Sequence, residues 1–202
     1  LSVLKPYGMA MAKSYYLNYG DPINHEAILQ KVGLPCFVKA NRSGSSFGIS
    51  KVYAIEQMEA ALEIAFKEDK EVIIEEALVG REVSVGVIQY QCKTKVLPIT
   101  EIISENDFFD YQAKYEGKST EITPAILDPE VEQNIIDAAT FVYNTLKLKG
   151  FTRSEFILVN NVPHLLEVNT TPGMTQHSIL PQQAKEAGIS LSELFESALD
   201  SL

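Results

Sequence analysis

Cysteine is scarce in this chain, with Cys36 in an apolar strand pattern and Cys92 far away in a polar stretch. Neither metal-ligand spacing nor a disulfide framework is present, so a reducing cytosol is the expected compartment. Positive charge is also short: 17 Lys and Arg stand against 27 Asp and Glu, giving a formal charge of −10 and a pI near 4.8. A general polyanion-binding surface needs clustered Lys and Arg, so nucleic acid is not an expected partner and any anion must be held locally. No apolar run approaches the roughly 18 residues of a membrane span. No basic-then-apolar leader precedes a cleavage site, so neither insertion nor export is expected. Of the three histidines, His25 and His164 lack an evident partner and His177 merely precedes a helix cap, so none is assigned catalysis.

What is present suits an ordinary globular chain: 202 residues, 46% hydrophobic, enough for one large domain or two small ones. The chain opens at Leu1 rather than Met, and residues 1–7 show neither a strand pattern nor a helix cap, so an upstream segment is expected. Asp21-Pro22 reads as the start of a helix over 23–32 that ends at Gly33. Residues 34–39 form the first clear strand, leading into the flexible, hydroxylic loop from Ala40 to Gly48; loops of that composition bring backbone N–H groups close to anions. Residues 49–53 are extended, 55–67 have a helical period, and Val72-Ile73-Ile74 reads as a buried strand after a solvated turn at 68–71. Strands over 83–88 and 95–103 imply a second sheet. A long polar stretch over 104–123 holds Phe108 and Asp110 to Tyr115, and a loop of this length is more often functional or disordered than inert, with the aromatics favouring function. Asp128 is the expected cap of a helix over 129–147 whose apolar face is Val131, Ile135, Ala138, Val142 and Leu146. Ser178 is placed as cap of a helix reaching Ala187, and Ser190 with Glu193 as a capping box for the last helix.

The strongest chemical signal lies near the C-terminus. Phe156 to Val159 and Val162 to Val168 are apolar runs separated by Asn160-Asn161, the pattern of a tight hairpin. Glu167 and Asn169, two residues apart at a strand end, project from one face, and Glu155 on the preceding strand can face Glu167. Two carboxylates and an amide oxygen make an incomplete all-oxygen site of the kind magnesium prefers, with positions left for water and phosphates. The bland alternative is a hairpin whose polar residues face water.

Three segments then occur in one order: Val38-Lys39 running into Arg42-Ser43-Gly44-Ser45-Ser46-Phe47-Gly48; Asp110-Tyr111-Gln112-Ala113-Lys114-Tyr115; and Glu167-Val168-Asn169-Thr170-Thr171-Pro172-Gly173-Met174-Thr175 with His177-Ser178 trailing. Together they resemble the D-alanine:D-alanine ligases, ATP-grasp enzymes, over almost the whole chain. The resemblance implies an α/β (α+β) fold of two α+β domains with ATP between them, residues 1–82 as the nucleotide-side domain and 83–202 as the metal and substrate domain. It also implies a ligase that phosphorylates the carboxylate of one D-alanine with ATP. The amine of a second D-alanine then attacks the acylphosphate, giving a dipeptide for peptidoglycan. The family's first-substrate domain and a further phosphate-contacting lysine would lie before Leu1, which makes this chain a fragment, inactive by itself on that reading.

The same resemblance supplies roles. Lys39, Ser46 and Lys114 would contact phosphate, Glu75 the adenine amino group, Leu78 and Phe108 the base, and Glu82 the ribose hydroxyls. Glu76 and Ala77 would offer only backbone contact. Tyr115 would pair with Ser45 as the long loop closes and excludes water from the acylphosphate; it also favours dipeptide over ester formation. Arg153 and the N–H of Gly173 would meet developing negative charge. Glu155, Glu167 and Asn169 would hold two magnesium ions, with manganese as the substitute metal, and Glu155 stands where aspartate is commoner in the family. Ser178 and Ile179 would lie at the second substrate. ATP and D-alanine are the implied partners, with a homodimer for the intact protein. Two alternatives stay open: another ATP-grasp carboxylate-amine ligase, and a nucleotide-binding module without turnover.

Overall fold

The computed structural model describes residues 3–43, 47–104 and 119–200. They form two compact units, the smaller built on Ala12–Leu78 and the larger on Val79–Ile103 and Thr120–Leu202 together with Leu1–Met11. The break expected between residues 82 and 83 falls inside a strand, Arg81–Tyr90, of the larger unit. Among the described residues no helix is long and apolar enough to cross a membrane.

The smaller unit is a four-stranded antiparallel sheet, β1 (Ser14–Asn18), β2 (Cys36–Ala40), β3 (Ser50–Val52) and β4 (Glu71–Glu76), in the order β1-β4-β2-β3. Helices α1 (His25–Val32) and α2 (Met58–Glu68) cover one face. Alternation decides which residues meet them. Cys36, Val38, Val72 and Ile74 enter the core with Ile28, Met58, Leu62 and Ala65, which leaves Phe37, Lys39, Ile73 and Glu75 to the opposite face. Two expectations change here. The helix expected at Ile23 begins at His25, because Asn24 is the residue whose side chain accepts from Ala27 N–H, at 3.0 Å; Asp21 is engaged in a turn, accepting from Asn18 N–H at 2.8 Å. The turn at 68–71 is not merely solvated, since Asp69 is held by Arg42.

In the larger unit, β5 (Arg81–Tyr90), β6 (Lys93–Val96), β7 (Thr100–Ser104), β8 (Ser119–Ile122), β9 (Phe151–Val159) and β10 (Val162–Asn169) make a sheet of order β10-β9-β5-β7-β8, with β6 paired to β5. Both faces are covered, so central β5 is buried without interruption from Val83 to Ile88. Val83, Val85 and Val87 pack with Ile135, Ala139, Val142 and Phe156 under α3 (Pro129–Thr145), and Leu4 joins this core. Ile88 packs with Leu97, Leu180, Ala184 and Leu194 under α4 (Ile179–Glu186) and α5 (Leu191–Leu199). On α3 the deeply buried alanine is Ala139, with Ala138 at the margin, and Asp128 occupies the N-cap position without a side-chain cap bond. Ser190 and Glu193 do form the expected capping box, Glu193 Oε2 accepting from Ser190 N–H at 2.8 Å. Asn160 and Asn161 turn the β9–β10 hairpin with φ of 50° and 64°, the left-handed pair that matches strand twist in a two-residue loop.

Candidate functional site

On the larger unit the site is built by β9 and β10. With a two-residue turn, regular pairing would set Leu166 against Glu155; a bulge between Leu165 and Glu167 shifts the register, so Glu167 pairs with Glu155 and Asn169 with Arg153. These four side chains therefore share one face. Arg153 Nε donates to Glu155 Oε1 at 2.6 Å, and Asn169 Nδ2 lies 3.5 Å from Glu155 Oε1 and 3.2 Å from Glu167 Oε1. Glu155 is 5% exposed, and burial pushes its carboxyl up; the Arg153 charge opposes that rise and Glu167 adds to it. Its second oxygen, Oε2, is buried without a well-formed hydrogen bond, although the Ser84 hydroxyl, opposite Glu155 on β5, helps to hold the carboxyl down.

Whether these residues fit a metal ion can be judged from that orphan. A buried carboxylate oxygen without a partner is costly, and a cation set between Glu155 and Glu167 would relieve both the orphaning and the like-charge repulsion. Asn169 would join the donor set by turning its amide, an O-for-N exchange that leaves the shape unchanged. Among the described residues no three His, Cys, Asp or Glu cluster as a metal site, so the set is two carboxylates and one amide, which suits a hard cation that keeps water or phosphate oxygens.

Beyond β10, Gly173 lies against Ser178, and a Cβ there would meet Ser178 Oγ at 2.8 Å. Ser178 precedes α4, and Ile179, its first residue, is buried. Glu121 of β8, absent from the sequence expectations, accepts from Gln182 Nε2 at 3.5 Å; burial raises its carboxyl, with the Arg153 charge opposing. Glu82 sits on β5 opposite Ile102 and Ile157. Just before it, Arg81 grips both oxygens of Glu101 at 2.7 Å.

On the smaller unit, Lys39 Nζ pairs with Glu75 Oε2 at 2.5 Å, with side chains 25% and 7% exposed. Strand register brings them together: Phe37 stands opposite Glu75 and Lys39 opposite Ile73, so the two charges are diagonal neighbours on one face. Leu78 is half-buried just past β4. Arg42, at the start of the glycine-rich loop, donates from Nε and Nη2 to the two Asp69 oxygens at 2.9 Å each, and its N–H also donates to Asp69 Oδ2 at 3.0 Å. At the far end of that loop Gly48 has φ +70°, and a Cβ there would meet Glu68 Cγ at 2.7 Å. Sequence pattern gives no sign of the Arg42–Asp69 clamp, because its partners are remote in the chain. Ser45, Ser46, Phe108, Lys114 and Tyr115 lie outside the described residues.

The family described as D-ala D-ala ligase C-terminus matches residues 3–200. The chain belongs to that family. Among curated ligase relatives it is 62% identical over 200 residues to the D-alanine–D-alanine ligase of Flavobacterium johnsoniae, covering 99% of this chain and 62% of the relative. It is 54% identical to that of Christiangramia forsetii, covering 99% and 61%. The chain thus spans about three fifths of the length of these ligases. Among solved structures, the D-alanine–D-alanine ligase from Bacillus anthracis superposes with a TM-score of 0.86 at 32% identity, covering 99% of this chain and 64% of that one. The VanG D-Ala:D-Ser ligase from Enterococcus faecalis gives 0.84 at 34% identity, covering 98% and 59%. The ligase fold assigned is accordingly ATP-grasp, as the motif order implies.

Proposed function

We propose that the complete protein is a magnesium-dependent ligase that joins two D-alanines at the expense of ATP, and that this chain supplies its nucleotide and metal residues. The observation that carries the reading is the face shared by Arg153, Glu155, Glu167 and Asn169 in a chain of this family. Transfer of the ATP γ-phosphoryl group to the carboxylate of the first D-alanine releases ADP and leaves an acylphosphate. The amine of the second D-alanine attacks its carbonyl, the C–O bond to phosphate breaks, and phosphate leaves with the amine proton lost to solvent or a base.

The residues divide that work. Glu155, Glu167 and Asn169 would hold Mg2+, with Mn2+ as a substitute, and the metal supplies charge neutralisation for the transferring phosphoryl group. Arg153, fixed by Glu155, and the Gly173 N–H face the charge that develops on the carbonyl oxygen. On the smaller unit, Lys39 beside Glu75 presents a donor next to an acceptor, the complement of the ring nitrogen and amino group on one edge of adenine; Lys39 also serves phosphate. Leu78 and Phe108 flank the base and Glu82 takes the ribose hydroxyls. Ser45 with Tyr115, and Ser46 with Lys114, complete the phosphate and lid contacts. Ser178 and Ile179 receive the second amino acid.

The test is phosphate release by the complete protein with ATP and Mg2+. D-alanine-dependent release supports the reading, and release stimulated by a different amino acid overturns the substrate assignment. Similarity to a D-Ala:D-Ser ligase structure makes D-serine the competitor to include. A cytoplasmic location belongs to the same reading, supported by Cys36 and Cys92 being free thiols. So does a homodimer of the complete protein, which sedimentation tests.

A further inference from the structure

Ser178 holds the N-cap position of α4, yet its hydroxyl makes no cap bond. An N-cap oxygen accepts from the N–H of the second or third helical residue, and the third here is Pro181, which has no N–H. The hydroxyl is bonded from the preceding turn instead. Thr175 N–H donates to Ser178 Oγ at 3.1 Å, and Thr175 Oγ1 lies 2.9 Å from the same oxygen. Ser178 N–H donates back to Thr175 O at 2.9 Å, which closes the turn and fixes the two residues relative to each other.

We infer that Thr175 is a positioning residue that commits the Ser178 hydroxyl to donating outward to a substrate carboxylate. The inference rests on the reading that Ser178 receives the carboxylate of the second amino acid. A hydroxyl carries one proton and two lone pairs. The Thr175 N–H fills one lone pair of Ser178 Oγ. Between the two hydroxyls either oxygen can donate, but a carboxylate only accepts, so its arrival selects the state in which Thr175 Oγ1 donates and Ser178 Oγ accepts. Both lone pairs are then occupied, and the Ser178 proton is left for the substrate. Remove the Thr175 hydroxyl and an unfilled lone pair can turn towards the anion. Gly173 keeps this corner open, since a side chain there would press on the same Ser178 oxygen.

The complete protein tests this with Thr175→Val, which keeps the N–H and the branched shape but removes the hydroxyl, and Thr175→Ser, which restores it. Thr175→Val is expected to raise the second-site KM for D-alanine by about ten-fold, the scale of one hydrogen bond to a charged group, while the KM for ATP stays at the wild-type value. Thr175→Ser is expected to return the second-site KM to near wild type. An unchanged KM in Thr175→Val, or an equal rise in Thr175→Ser, overturns the role of Thr175 and leaves the ligase reading standing. A rise in the KM for ATP together with that for D-alanine shows a general packing defect and also overturns it. Wild-type protein without D-alanine-dependent phosphate release overturns the ligase reading, and this inference with it.

Discussion

Glu155 and Glu167 stand directly opposite each other on β9 and β10 because one extra residue is accommodated between Leu165 and Glu167. Two carboxylates held face to face repel, and Arg153 answers only one oxygen of Glu155. A cation between the pair would relieve that repulsion.

Replacing Glu167 with Gln removes a charge while keeping size. In the complete protein this variant is expected to lose magnesium-dependent turnover by at least about a hundred-fold, with a melting temperature equal to or above wild type because a like-charge contact is relieved. Phosphate release across a magnesium titration, beside a thermal melt, reads both effects. Near-normal activity at ordinary magnesium would sink the metal assignment.

The clamp between Arg42 and Asp69 predicts a pH dependence. The guanidinium of Arg42 holds the Asp69 carboxyl well below its ordinary value of 3.8. A depressed carboxyl contributes stability that is fully present above its unfolded value and fades as pH falls below it. Wild type should therefore melt above Asp69→Asn at pH 7, and the gap should narrow only once the pH drops beneath about 3.8. Paired melts from pH 7 downward decide this; a gap constant through that range would show that the ionised pair contributes nothing.

Gly80 and Gly20 should respond differently to alanine. At Gly80 a Cβ would stand 2.1 Å from the carbonyl oxygen of Leu158, a backbone atom of the paired strand that cannot turn aside. Gly80→Ala is expected to cost about 3 kcal/mol, the upper end of ordinary overpacking. Gly20 has φ +92° and open space around its Cβ, so Gly20→Ala should cost only about 1 kcal/mol of backbone strain. Urea denaturation of both variants gives the comparison, and equal costs would contradict the close approach at Gly80.

Ile135 is fully buried on α3 beneath β5. Truncation to alanine should destabilise by about 2–5 kcal/mol. Hydrogen exchange on β5 and β9 would locate the loss, and a change below about 1 kcal/mol would mean that α3 does not cover that face as described.

The sequence makes the hairpin legible because its two asparagines are strong turn residues and its apolar runs are long. Expecting Glu155 to face Glu167 reaches the right pair, although simple counting back from the turn points to Leu166; the bulge leaves no compositional mark. β1 is hidden because only Leu17 of its five residues is buried, so alternation along it is weak. The sequence points to Asp21-Pro22 as the start of α1, because Asp before Pro is a good local start signal, whereas hydrogen bonding places the cap at Asn24. The Lys39–Glu75 pair and the Arg42–Asp69 clamp need strand register and remote partners, which no local pattern encodes. Conversely, Ser178 looks like a plain helix cap in sequence until Pro181 is considered as the donor it would need.

The strip ahead of β1 has its own consequence for how the protein is made. Leu165 N–H donates to Ala10 O at 2.8 Å and Met11 forms a parallel bridge to Leu165, so this strip belongs with the last strand of the larger unit. On a ribosome, β1 to β4 can pair as soon as Glu76 has emerged, whereas the strip from Leu4 to Met11 must stay unmatched until β10 is translated. Nascent chains halted before residue 165 should therefore protect the smaller unit from protease while leaving the strip from Leu4 to Met11 open to digestion, and the larger unit is the part that a folding helper would need to shelter.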